Sequence, residues 1–240
     1  MGLPVTAAYI VLGTLSAPAL YELINTSHLV DVVAAGQLPD QAKAIFMLAA
    51  PEKLEALAQP MPRPDALALV ALVPGDFSSQ LFEQALSPEL LTTSLLSAHM
   101  IIFWLSQDSN VTPPVCLTAF AAAAIAKTPP MATGLTAWRI AKGLYIVPLL
   151  FAYTPFLSGD WPIAIEIFLF GTLGVYALAA AYEGYAEAPV QMALRPFMAA
   201  AGVALLWPLD LVWHLAAAAL LVATFTISLM QGRRTAPVNA

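Results

Sequence analysis

Residues 106–115 read SQDSNVTPPV, and the fold turns on how this stretch is read. Ser106, Gln107, Asp108, Ser109, Asn110 and Thr112 stand between two apolar helical patterns, and Pro113 and Pro114 follow at once. A proline removes a backbone donor and crowds the preceding turn, so a regular helix does not run through the pair. In hydrocarbon, polar side chains beside a forced helix break are costly. They are kept where they face a cavity, an ion or another part of the protein.

The flanks are those of a membrane protein. Of the 240 residues, 60% are hydrophobic and 10% charged. The mean hydropathy of +0.79 lies outside the range of soluble globular domains. Apolar stretches able to cross a hydrocarbon core of roughly 30 Å recur along the chain. The N-terminal segment MGLPVTAAYIVLGTLSAPAL lacks a basic leader, and its apolar run is too long for a cleavable signal peptide. The single cysteine, Cys116, excludes an internal disulfide and a cysteine-cluster metal site. A net charge of −6 speaks against nucleic acid and against electrostatic docking on anionic lipid.

Patterning divides the chain into five parts. Residues 1–24 predict a broken membrane helix, with Pro18 inside its span from Val5 to Ile24. Residues 25–91 predict an acidic helical insert outside the membrane, cut by Pro and Gly into pieces such as QAKAIFMLAA and DFSSQLFEQAL. The stretch from Glu22 to Glu89 holds nine of the fifteen acidic groups, against Lys43, Lys53 and Arg63. Ser87-Pro88-Glu89 is a helix start, with a capping hydroxyl, a first-turn proline and an acid at the positive end of the dipole.

From there a helix runs to about residue 105. The second apolar piece, VCLTAFAAAAIA at 115–126, amounts to roughly 18 Å of helix, too short to span alone. The apolar part before the break, 95–105, is about as short. Residues 92–130 therefore predict a re-entrant hairpin with a Thr-Pro-Pro tip. Residues 131–157 predict an interfacial helix, with Arg139 and Lys142 near its end, and then a membrane helix kinked at Pro148. Residues 158–240 predict C-terminal membrane helices and a tail, with full spans at 163–182 and 211–230. Arg195, Arg233 and Arg234 flank the last hairpin while its WPLD turn carries no base, which places the C-terminus in the cytoplasm. The fold class is thus an all-α integral membrane protein.

The polar tip is where chemistry is expected. Helix carbonyls left open near Val111 and Thr112, the hydroxyls of Ser109 and Thr112 and the amide of Asn110 make an oxygen-rich set suited to a hard cation such as sodium. The start of the following helix, around Pro114–Cys116, points positive dipole at the same place and suits an anionic group. Ion and anion sites side by side at a broken helix are a secondary-transporter arrangement. The same spacing also fits a plain extramembrane loop whose prolines end one helix and start the next. Asp108 fits a ligand, a proton carrier or an exposed charge at the loop edge.

Gly2, Pro4 and Thr6 mark either a second helix break or an ordinary helix start. His28, His99 and His214 have no second ligand at i+3 or i+4, so no histidine metal site is expected. Glu166 and Asp210 read as interfacial charges, and Trp104, Trp138, Trp161, Trp207 and Trp213 as an aromatic belt. No nucleophile elbow, P-loop or dinucleotide fingerprint is present, so neither enzyme activity nor a cofactor is expected.

The stretch SNVTPPVCLTAFAAAAIAKTPPMATGLTAWRIAKGLYIVPLLFAYTPFL resembles the C-terminal part of the large permease subunit of tripartite ATP-independent periplasmic (TRAP) transporters, and is most similar to the fused TAXI type. The likeness rests on the Gly-Leu-Pro segment within Met1 to Tyr9, on Thr112-Pro113-Pro114, and on a connector with Pro130, Met131, Thr133 and Gly134. It covers residues 1–21 and 95–157.

The resemblance implies an elevator-type, sodium-coupled secondary active transporter of the bacterial inner membrane, multi-pass, that imports a small organic anion. It implies binding at Gly2, Pro4, Thr6, Asp108, Ser109, Asn110, Thr112, Pro113 and Pro114, with Ser109, Asn110 and Thr112 on the sodium ion. Family permeases carry two inverted repeats, so it also implies a C-terminal portion or split-gene product. The implied partners are the remaining N-terminal part of the permease, a small membrane subunit or its fused equivalent, a soluble periplasmic binding protein and the bilayer. Two features depart from the pattern: Asn110 stands where many members have Asp, and residues 22–91 separate segments that usually lie close together. A different class of reading is an integral membrane interaction or assembly subunit, with the insert as its working surface.

Overall fold

The computed structural model describes residues 5–49, 51 and 54–235. Among these the chain is all-helical, and it forms two compact units, Met1–Leu135 and Thr136–Ala240.

The first unit opens with α1 (Val5–Ala34), a single helix of 30 residues with Pro18 inside it. The helix passes straight through the expected boundary at residue 24. The cause is the stripe Leu29, Val30 and Val33, which recurs at helical spacing and is fully buried. Gly36 then turns the chain with a φ of +68°, and a Cβ there would stand 2.8 Å from the Gln59 carbonyl carbon. Helices α3 (Arg63–Val70) and α4 (Ser78–Ala85) fold back on the second half of α1, and α2 (Asp40–Ala49) packs on α4. Together they enclose a core of large side chains that includes Leu29, Phe46, Leu57, Leu81 and Phe82. The residues read as an insert are therefore a small helical subdomain that borrows the end of α1.

Helix α5 (Pro88–Gln107) starts as the sequence predicts, with Leu90 N–H donating to the Ser87 hydroxyl at 3.2 Å. It is continuous over 20 residues, about 30 Å, and is not half-length. Helix α6 (Leu117–Ala126) has 10 residues, about 15 Å, and is as short as expected. α5 lies antiparallel to α1: Tyr9 meets His99 and Phe103 at one end, while Leu90 and Leu91 join the core around Leu29 at the other. Helix α7 (Pro130–Ile140) ends the first unit and runs on into the second.

In the second unit a short turn leads to α8 (Val147–Tyr153), followed by α9 (Trp161–Glu183), α10 (Arg195–Leu206) and α11 (Leu211–Thr235). α9 and α10 run antiparallel and close. A Cβ on Gly174 would stand 3.0 Å from the Gly202 carbonyl oxygen, and one on Gly202 would stand 2.9 Å from the Gly174 oxygen. The core of this bundle is built mainly from small residues, Ala177, Ala180, Ala201 and Ala217, with Met198, Leu205 and Leu221 between them.

Among the described residues, four helical stretches are long and apolar enough to cross a membrane: Pro88–Asn110, Pro130–Tyr153, Trp161–Glu183 and Leu211–Gln231. These mark a multi-pass membrane protein. The second of them joins α7 and α8 into one span-length run, where the sequence suggests an interfacial helix followed by a membrane helix. The span expected over residues 5–24 is not in this set, although Ile10, Val11, Leu12 and Leu15 on that part of α1 are exposed.

Candidate functional site

The tip between α5 and α6 gathers its polar residues through a short turn at Asp108–Asn110. Its hydrogen bonds run inward. The Ser106 hydroxyl donates to the Phe103 carbonyl at 2.6 Å, and the Ser109 hydroxyl to the Ser106 carbonyl at 2.9 Å. The Thr112 hydroxyl donates to Asp108 Oδ1 at 2.5 Å, and the Asn110 amide reaches Gln107 Oε1 at 3.5 Å. Backbone N–H groups of Val111 and Thr112 both donate to the Asp108 carbonyl, at 3.0 and 2.9 Å.

One expectation fails here. The Thr112 carbonyl accepts the Cys116 N–H at 3.1 Å, so it is not left open by the prolines. The chain re-forms a turn across Pro113–Pro114, whose bond is cis, and the carbonyl is used in that turn.

A hydroxyl has one proton and two lone pairs. With its proton directed to the Ser106 carbonyl, the Ser109 hydroxyl retains acceptor capacity for a ligand, and the Thr112 proton is held by Asp108. Ser109, Asn110, Val111 and Thr112 are half-buried, Pro114 is exposed, and Cys116 is fully buried beneath them.

The connector closes the site from below. A Cβ on Gly134 would stand 2.6 Å from Cys116 Sγ, 3.4 Å from Phe120 and 3.5 Å from Pro113. Glycine is thus the residue that lets α7 lie against the tip. Ahead of it, Thr128 and Thr133 hydroxyls meet at 2.9 Å, and Thr133 also donates to the Pro129 carbonyl at 3.1 Å. The Thr-Pro-Pro tip and the Pro-Met…Thr-Gly connector are therefore one packed unit in space.

Of the remaining sequence candidates, Gly2 and Pro4 lie outside the described residues. Thr6 lies in the first turns of α1, but its side chain is outside the described set.

Two histidine pairings join residues far apart in sequence, beyond any i+3 or i+4 spacing. Tyr9 Oη lies 3.2 Å from His99 Nδ1 across α1 and α5. His214, buried on α11, has Nδ1 3.6 Å from Glu166 Oε1 on α9 and Nε2 3.0 Å from the Trp207 carbonyl oxygen, with its ring against Phe170. Glu166 is thus a partner for His214 and not only an interfacial charge. Among the described residues no three of His, Cys, Asp and Glu converge as metal ligands, and the tip's donors are the hard oxygens that suit alkali and alkaline-earth cations. Comparisons with protein-family models, curated proteins and solved structures return no match for this chain.

Proposed function

We propose that the chain is the C-terminal portion of a TRAP-type permease in a bacterial inner membrane, sodium-coupled and importing a small organic anion delivered by a periplasmic binding protein. In this reading α5, the tip and α6 form the re-entrant hairpin of an elevator-type transport repeat. The supporting observation is the tip itself: the Ser109 hydroxyl directs its proton to the Ser106 carbonyl and keeps acceptor capacity for a cation, beside the half-buried polar side chains of Asn110 and Thr112. The 10-residue α6 adds the positive end of its dipole on the same side, where an anionic group would sit.

Sodium-driven uptake by the whole permease with its binding protein in proteoliposomes tests this. Asn110→Ala with Thr112→Ala should reduce uptake by roughly tenfold or more, if each lost ligand costs on the order of a kcal/mol. Unchanged uptake would remove the tip from the mechanism. It would favour a second reading, an interaction or assembly subunit, which Met47, Leu48, Leu67, Leu72 and Phe77, apolar and exposed on the insert, make specific.

A further inference from the structure

One end of the second unit gathers basic side chains around an apolar cleft. Arg139 at the end of α7, Lys142 in the next turn and Arg195 at the start of α10 line a cavity of about 1070 Å³. Its walls include Ile140, Ile146, Val175, Leu178, Ala179 and Ala199.

Each cation is held in place. Arg139 Nη2 lies 3.0 Å from Glu183 Oε2, and Lys142 Nζ sits 3.4 Å from the centre of the Tyr182 ring. Arg195 Nε donates to the Val190 carbonyl at 3.3 Å, and its guanidinium occupies the space a side chain on Gly184 would need. Gly184 caps α9 with a φ of +72°, so Arg195 rests against the negative end of that helix. Three cations against the one lining carboxylate, Glu183, leave a formal charge of 3 − 1 = +2 at the mouth.

The position of this mouth along the bundle matters as much as its charge. α11 runs antiparallel to α10, so its C-terminal turns, where the Ser228 hydroxyl donates to the Pro189 carbonyl, lie at the same end as Arg195. Asp160, Trp161, Trp207 and Asp210 lie at the other end. By the positive-inside rule the basic end faces the cytoplasm, where the leaflet is rich in anionic lipid. The net charge of −6 hides this asymmetry, because most of the acid is in residues 22–91.

We propose that this cleft is a binding site for an anionic phospholipid of the cytoplasmic leaflet, its phosphate between Arg195 and Lys142 and its acyl chains along the apolar walls. A soluble anion would need the cations but not the walls. Ile140, beside Arg139 and 78% exposed, is placed for a chain and not for water. The proposal rests on the membrane-spanning character of the chain and is independent of the transport reading.

The test uses the purified full chain in detergent, exposed to equimolar phosphatidylglycerol and phosphatidylcholine with identical acyl chains, with bound lipid counted by native mass spectrometry. Phosphatidylglycerol should be preferred by about tenfold or more, at roughly fivefold for each of two cations near the phosphate. Lys142→Gln with Arg195→Gln should bring the two lipids to near parity. If that variant does not fold, Lys142→Gln alone should still lower the preference about fivefold. Glu183→Gln, which frees Arg139, should raise the preference, a direction that a folding defect does not mimic. Equal binding by the unmodified chain, a preference retained without the cations, or no rise in Glu183→Gln would each overturn the site. Release of the lipid by glycerol phosphate alone would also overturn it, by showing a site for soluble phosphate.

Discussion

The insert subdomain and the C-terminal bundle are both helical, yet they are packed by opposite rules. The subdomain is held by large apolar side chains, Phe46, Leu57, Leu81 and Phe82, which are almost wholly buried. The bundle is held by alanines and by the paired glycines Gly174 and Gly202, while Phe168, Leu169, Val212, Leu215 and Val222 point outward. In water, burying a large side chain drives association. In lipid the surroundings are as apolar as leucine, and helices gain by close backbone approach at small residues. The two cores thus differ in the way that packing suited to water differs from packing suited to lipid. The acidic composition of residues 22–91 fits the former.

The comparison breaks most sharply by truncation. Phe46→Ala should cost the subdomain ~3–5 kcal/mol, the usual range for emptying a buried aromatic site. Hydrogen exchange of the detergent-solubilised chain should show lost protection in peptides from 29–86 and none in 163–230. Equal loss in both would mean that the two cores fold as one.

In the bundle, enlargement is the damaging change. Gly202→Val drives a side chain against the Gly174 carbonyl oxygen, where even a Cβ is at 2.9 Å. The expected cost is ~1–3 kcal/mol, read as lost protection across α9 and α10 with the subdomain unchanged. A neutral outcome would mean that α9 and α10 are free to separate. The small-residue account of the seam would then fail.

Local chemistry was legible and distant chemistry was not. Ser87-Pro88-Glu89 predicts the start of α5 because a cap, a first-turn proline and an acid act within one turn. The boundary expected after Ile24 is not there: α1 runs on through Asn25-Thr26-Ser27-His28, because burial of Leu29, Val30 and Val33 outweighs their weak local preference. At the tip, the residue types and the short α6 were legible. The inward bonds of Ser109 and Thr112 and the capture of the Thr112 carbonyl were not, since they depend on how the chain turns at the two prolines. Tyr9–His99, 90 residues apart, leaves no trace in spacing. Nor does total charge reveal that Arg139, Lys142 and Arg195 share one cleft.

The smallest effect concerns how α1 is joined to the subdomain. Arg63 on α3 reaches Ser27 at 2.8 Å and Asp31 at 3.3 Å, and His28 is their neighbour along α1. Burial lowers the His28 pKa from its ordinary 6.5, Asp31 opposes that shift and Arg63 adds to it. Because the folded pKa is the lower one, the unfolded chain takes up the proton first as the pH falls. This part of the stability is fully present above about 6.5 and declines below it, towards the depressed folded value. Protection of residues 25–86 should therefore weaken between neutral and mildly acidic pH, and His28→Gln should flatten that dependence while leaving the bundle untouched. If the slope survives the substitution, another group links α1 to the subdomain core. Protection at the Gly174–Gly202 crossing, where backbone meets backbone, is the reference against which that slope is read.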